Sequence, residues 1–163
     1  MIKIRKGIFE TNSSSMHSFV LNKKGKNSVN TSDFAPYIKD NILTIEMNRE
    51  FGWGPDKITD QYERACYVAV DAKYDDDKLE RLAKLLKEKL YVEEVEFIGS
   101  KDEDGNFDDC FIDHQSQGMS GCVNSLEDFI FGDGTLYIDN DNGCNYEDEY
   151  EEIEKNPDLE RFY

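Results

Sequence analysis

Leu79, Leu82, Leu86 and Leu90 recur at intervals of three and four residues. That period puts all four on one side of an α-helix opened by Asp76 or Asp77. Just upstream, Asp60 with Glu63 makes a capping-box-like start for another helix, with Tyr62, Cys66, Ala69 and Lys73 along one side. Two consecutive helices with apolar stripes need a surface to pack on, and the flanking sequence supplies one. Residues 2–9 alternate through Ile2, Ile4 and Gly7-Ile8-Phe9, and residues 17–21 and 42–47 read as further strands. Residues 22–33, rich in Lys, Asn, Ser and Gly, read as a loop. Phe51-Gly52-Trp53-Gly54-Pro55 reads as a turn cluster around the single Trp.

Downstream, residues 92–98 read as a strand with Val95 and Phe97 on one face. Asp104-Gly105 is a hairpin turn signal, with 107–113 as the returning strand. His114 then falls at the end of that strand, before the small-residue loop Gly118-Met119-Ser120-Gly121. Ser125 with Asp128 caps a short helix bearing Leu126, Phe129 and Ile130, and Asp133-Gly134 turns into a strand over 135–138. Strand runs separated by a paired-helix block predict an α+β fold, with a mostly antiparallel sheet and two central helices packed on it. A single domain is expected over residues 1–146, with an acidic C-terminal helix or tail over 147–163. The ten Phe and nine Tyr supply a core despite 34% charged residues.

Charge narrows the function. A net of −17 excludes binding nucleic acid through a general basic surface. The balance is uneven, since residues 1–31 carry six Lys/Arg and one Glu while 139–163 carry ten Asp/Glu and two Lys/Arg. No run approaches the ~20 apolar residues of a membrane helix. Lys3, Arg5 and Lys6 have no apolar stretch behind them, so the start does not read as a secretory signal. Cys66, Cys110, Cys122 and Cys144 follow no disulfide framework, so free thiols in a reducing cytoplasm are expected.

The candidate chemistry sits in two polar segments. Thr11, Asn12, Ser13, Ser14 and Ser15 lead into His17 within the locally basic part of the chain. Hydroxyl and backbone donors beside cations suit an anion such as phosphate. The second segment, Ile112-Asp113-His114-Gln115-Ser116, holds the other histidine. His114 and Ser116 fit the His-x-Ser/Thr element of two-histidine phosphoesterases, where one imidazole serves as base and the other as acid. His17-Ser18-Phe19 lacks the spacer. For either histidine alone, a structural or surface role is the simpler reading. A joint site requires both imidazoles to reach one ligand, within ~10 Å.

Other readings are weaker. His114-Gln115-Ser116-Gln117-Gly118 imitates a nucleophile elbow but places His where the sharp turn needs a small residue. Cys110, His114, Cys122 and Cys144 contain no CxxC pair, which argues against zinc. Asp139-Asn140-Asp141-Asn142-Gly143 resembles the start of a calcium loop. Its Gly comes one position early and Tyr150 stands where the loop needs Glu, so a polar turn is the better reading.

The stretch 4–18, ending Glu10-Thr11-Asn12-Ser13-Ser14-Ser15-Met16-His17-Ser18, resembles the opening of an uncharacterised family of bacterial and bacteriophage proteins. These begin with a short basic strand and a Glu-Thr-Asn-Ser-Ser-Ser-x-His-Ser motif. The 112–116 and 139–142 segments are similar to further pieces of that family. The resemblance implies a bacterial or phage-infected cell and marks a site, and it brings no activity with it. Two functions follow as expectations. In the first, Thr11–Ser15 cradle the phosphate of an anionic small molecule or nucleotide. His17, His114 and Ser116 then act on it, Asp113 orients His114, and Asp139 or Asp141 holds a divalent cation if one is used. In the second, a non-enzymatic acidic protein mimics nucleic acid and occupies a basic host protein.

Overall fold

The computed structural model describes residues 16–51, 56–112, 125–140 and 159–162. Its longest strand, β1 (Met16–Asn27), leads into a single helical turn, α1 (Thr31–Phe34), and a 3₁₀ turn over Ala35–Tyr37. The strands β2 (Ile38–Lys39) and β3 (Ile42–Glu46) follow as a hairpin. Asp40 and Asn41 between them both take positive φ, at 51° and 63°. Asn and Asp tolerate this left-handed backbone, and two such residues make the turn that suits the twist of a hairpin. The short strands β4 (Glu50–Phe51) and β5 (Asp56–Ile58) complete the N-terminal half.

Two capped helices come next. Asp60 accepts a hydrogen bond from the Glu63 N–H at 2.9 Å and opens α2 (Gln61–Asp71). Asp75 accepts from the Lys78 N–H at 3.1 Å and opens α3 (Asp76–Leu90). The cap thus falls one residue before the Asp76 or Asp77 start read from sequence. Of three consecutive aspartates, Asp75 is the one with extended backbone. After β6 (Glu94–Ile98) and β7 (Phe111–Ile112), Ser125 accepts from the Asp128 N–H at 3.0 Å and opens α4 (Leu126–Phe131), as its sequence predicts. The strands β8 (Gly132–Asn140) and β9 (Leu159–Phe162) close the described chain.

The fold is α+β. One sheet has four antiparallel strands in the order β5-β8-β1-β9. A second, β2-β3-β6, is mixed, because β3 pairs antiparallel with β2 and parallel with β6. The paired helices lie between β3 and β6 in the chain, and such a crossover is what a parallel pair requires. A third pair joins β4 and β7 in parallel.

Several sequence expectations are corrected. Residues 22–27 are strand rather than loop: Asn22 pairs with both β8 and β9, Lys23 with β9, and Asn27 with β8 beyond the register shift, so flanking strands hold the ends of a polar stretch extended. The register shifts between Asn22 and Asn27, where β1 carries a bulge of extra residues. Residues 107–113 do not return as a hairpin strand against β6. Only Lys101 bridges Phe107, and the strand proper, β7, pairs with β4 instead. The turn itself forms, with Gly105 at φ 87° and Asp102 accepting from the N–H groups of Asp104 (3.0 Å) and Asn106 (2.8 Å). Asp133-Gly134 lies inside β8, not in a turn before it. Within 147–163, residues 159–162 form β9 on the edge of β1, and 147–158 lie outside the described residues, as do 2–9.

Periodicity reads one apolar side on α2, yet Gln61, Tyr62 and all of 64–70 are buried. α2 is the central helix, touching α1, α3, α4, β3 and β7, so that only Glu63 and Asp71 remain partly open to water. Leu82 and Leu86 of the predicted stripe are fully buried, with Leu79 and Leu90 packed at its margin. No helix among the described residues is long and apolar enough to cross a membrane.

Cys66 and Cys110 are buried free thiols. Burial pushes the Cys66 thiol up to about 11, with the Arg49 guanidinium pulling the other way. It also raises Cys110, against the pull of Lys73. In native protein at pH 8 both should resist a thiol probe, because the thiolate is the reactive form. After denaturation without reductant, all four cysteines should titrate, and a count of two would show a disulfide. Between about pH 9 and 11 the unfolded chain loses the Cys66 proton before the folded protein does. Stability should therefore fall as pH rises through that window, and Cys66→Ala should flatten the fall.

Candidate functional site

Met16 of β1 directly follows the Thr11–Ser15 segment, and the antiparallel partner of β1 at this end is the last part of β8. The register pairs Met16 with Asn140, His17 with Asp139 and Ser18 with Ile138. Residues directly opposite in an antiparallel pair share a face of the sheet. His17 and Asp139 are therefore same-face neighbours. Met16-His17 and Asp139-Asn140, each belonging to a segment singled out in the sequence, thus meet at one end of one strand pair. Val20 and Leu21 on β1 and Leu136, Tyr137 and Ile138 on β8 are β-branched, aromatic or aliphatic residues that favour such pairing.

The rows continue along the sheet. Phe19 pairs with Tyr137, which pairs in turn with Lys57 of β5. Leu21 is flanked by Thr135 of β8 and Arg161 of β9, and Lys23 pairs with Leu159. The alternate rows hold Ser18-Ile138-Asp56 and Val20 with Leu136, Ile58 and Phe162. Ile58 belongs to the hydrophobic core, so those rows mark the core face. His17, Phe19, Leu21 and Lys23 lie on the other face.

The third segment enters from a different strand pair. Ile112, just before Asp113, sits beside Phe51, and Phe51 is five residues before Asp56. Asp113, His114, Ser116, Asp141 and Thr11–Ser15 lie outside the described residues, as does the separation of the two imidazoles. Among the described residues, no group of three His, Cys, Asp or Glu side chains stands close enough to hold a metal ion.

Two polar clusters in the interior have structural chemistry instead. Tyr62 donates to the Thr44 carbonyl and accepts from the Glu46 N–H, both at 3.2 Å, with Tyr37 stacked on its ring at 3.5 Å. Arg49 lies 5.7 Å from the same ring and pairs with Glu46 (3.2 Å) and Glu63 (3.5 Å). Burial raises both the Tyr62 hydroxyl and the Cys66 thiol, which disarms each as a nucleophile at neutral pH. The second cluster joins the N-terminus of α2 to its surroundings. Gln61 accepts from the Asn30 N–H and donates to the Ser28 carbonyl, each at 2.8 Å, and Asp33 accepts from the Gln61 N–H at 2.9 Å. The hydrogen bonds named there are all between protein groups, and among the described residues the Arg49 Nε of the first cluster is a buried donor without a partner.

The sequence identifies His17 and Asp139 separately but not as neighbours, because pairing of β1 with β8 is a property of the whole fold. Lys57 and Arg161 are missed for the same reason: β5 is short and β9 lies in an acidic stretch without strand periodicity. Comparison of the chain with protein-family models, curated proteins and solved structures finds no match in any of the three. The resemblance of residues 4–18 therefore rests on that motif alone.

Proposed function

We propose that the protein is phosphate- or nucleotide-directed, working in the reducing cytoplasm of a bacterial or phage-infected cell, and that its catalytic form is a two-histidine phosphodiester hydrolase. The observation that carries this reading is the register of His17 opposite Asp139, immediately after the Thr11–Ser15 hydroxyls. In this reading Thr11, Asn12, Ser13, Ser14 and Ser15 donate to phosphate oxygens. Asp139, on the same face as His17, serves in this reading to orient it as the acid. His114, oriented by Asp113, takes the complementary proton as base, and Ser116 adds a hydroxyl donor. Asp139 and Asp141 are the positions for a divalent cation if the reaction uses one.

Thermal-shift measurements with inorganic phosphate, mononucleotides and cyclic dinucleotides test the reading. A ligand at a hundredfold excess over Kd stabilises by about 2.7 kcal/mol. At this size that is a rise of roughly 5–10 °C in Tm. The Ser14→Ala/His17→Ala double variant should lose the response. His17→Ala and His114→Ala should each abolish hydrolysis of bis(p-nitrophenyl) phosphate. Flat melting curves with every ligand, together with salt-sensitive binding of the acidic chain to a basic protein, would decide for the nucleic-acid mimic.

A further inference from the structure

We infer that the four-stranded sheet binds single-stranded nucleic acid across its face opposite the core, as the extended substrate or ligand of the His17–Asp139 end. This rests on the phosphate-directed reading for that end and adds the polymer. The register puts Phe19, Tyr137, Lys57, Arg161, Lys23 and His17 on one face of the sheet. Phe19 and Tyr137 are direct neighbours, with Lys57 next in the same row. Arg161 stands in the following row and Lys23 in the one after it.

Charge on this sheet is sorted by face. The paired acids Asp56 and Glu160 fall in the alternate rows, on the Ile58 side. Asp139, beside His17, is the acid among the paired positions on the other face. In a chain of net −17, Lys57, Arg161 and Lys23 on one face are a local exception among the paired positions, while Lys24, Lys26 and Asp133 of the same strands lie outside the paired register. The overall charge excludes a general basic surface but not a strip.

Spacing matches the ligand. Same-face rows lie about 6.6 Å apart, so the rows from His17 to Lys23 span roughly 20 Å. Four strands at about 4.8 Å separation give a breadth of roughly 14 Å. Lys57, Arg161 and Lys23 in three successive rows suit a chain of several phosphates rather than one. An aromatic pair between them suits unpaired bases, since every base presents a π-face for stacking. A duplex hides its bases from such a platform.

Fluorescence anisotropy with labelled oligothymidine and oligouridine of about eight nucleotides tests the inference. Saturable binding is expected, and the preference between the two identifies DNA or RNA as the source. Binding should weaken with salt, and Lys57→Gln and Arg161→Gln should each reduce the slope of log K against log salt by about 0.7. Tyr137→Leu, which keeps an apolar side chain, should weaken binding roughly 5- to 150-fold. Asp56→Asn and Glu160→Gln, on the core-side rows, should not weaken it. Photocrosslinking of wild-type protein to a bromouridine oligonucleotide needs no substitution and should map to β1 and β8. Equal binding of a duplex, crosslinks confined to other segments, or affinity untouched by Lys57→Gln and Arg161→Gln would overturn the inference. Stabilisation by phosphate or mononucleotides without oligonucleotide binding would overturn it and leave the phosphate-directed reading standing. Oligonucleotide binding indifferent to Ser14→Ala/His17→Ala would keep the face and remove that reading.

Discussion

Arg64→Ala is expected to lower stability by about 3–5 kcal/mol, the range for breaking a buried charged contact. At this size that is a fall of roughly 6–20 °C in Tm. Arg64 is 1% exposed. Its guanidinium donates to the carbonyls of Phe129 (3.4 Å), Gly132 (2.9 Å) and Gly134. These carbonyls belong to the end of α4 and the start of β8, where helix-end acceptors lack intrahelical partners. One side chain thereby ties the central helix to the strand that carries Asp139. Asp33, Asp133 and Asp60 favour its charge, but desolvation is larger and draws its pKa down to about 10. Between about pH 10 and 12.5 the unfolded chain holds a proton the folded protein has lost, so this group makes stability rise with pH there. At neutral pH the buried charge is therefore a cost, and removing it offsets part of the damage. The carbonyls dominate because they remain: each stranded acceptor costs about 1–3 kcal/mol. Arg64→Met, which fills the volume without donors, should lie near the alanine variant, and Arg64→Lys, with one point donor, between them and wild type. Urea denaturation measures all three. A loss below about 1 kcal/mol for Arg64→Ala would mean that water or other donors reach these carbonyls.

The contrast between legible and illegible parts of the fold follows from range. The starts of α2 and α4 can be read because Asp60 and Ser125 bond to N–H groups three residues away. The stripe on α3 can be read because Leu82 and Leu86 meet the core through one helix face. The all-round burial of α2 cannot, since its polar residues are absorbed by partners from α1, α4 and β8, as Arg64 and Gln61 show. Neither can the β4–β7 pair, whose two-residue strands carry no periodicity and exist only because distant segments meet. The candidate site divides the same way. The hydroxyls and histidine of 11–17 stand out by composition, and Asp139 by its neighbours. The pairing of His17 with Asp139 depends on β1 and β8 meeting across most of the chain, and the rows of Lys57 and Arg161 depend on two further strands, β5 and β9, arriving in register.

Leu82→Ala should cost about 2–5 kcal/mol, the range for a large-to-small change at a fully buried position. Leu82 and Leu86 have no exposed surface, while Leu79, Leu85 and Leu90 are only partly covered. Leu79→Ala should therefore cost less, and Leu82→Met, which nearly conserves volume, below about 1.5 kcal/mol. A polar contact also fastens α3, since Lys89 pairs with Glu127 of α4 at 2.6 Å. Both side chains there are about one-third exposed, at 34% and 37%, and a pair so open to water contributes about 0–1 kcal/mol. Packing rather than charge then holds α3 in place, and the two can be separated. Lys89→Ala should shift Tm by no more than roughly 4 °C and lose even that in high salt, whereas the Leu82→Ala deficit should persist at any ionic strength. If Leu82→Ala melts with wild type, α3 is not packed on the core through this face. If Lys89→Ala proves the costlier change, the ion pair is more deeply desolvated than its exposure indicates, and α4, with the Arg64 carbonyls at its end, depends on α3 for its position.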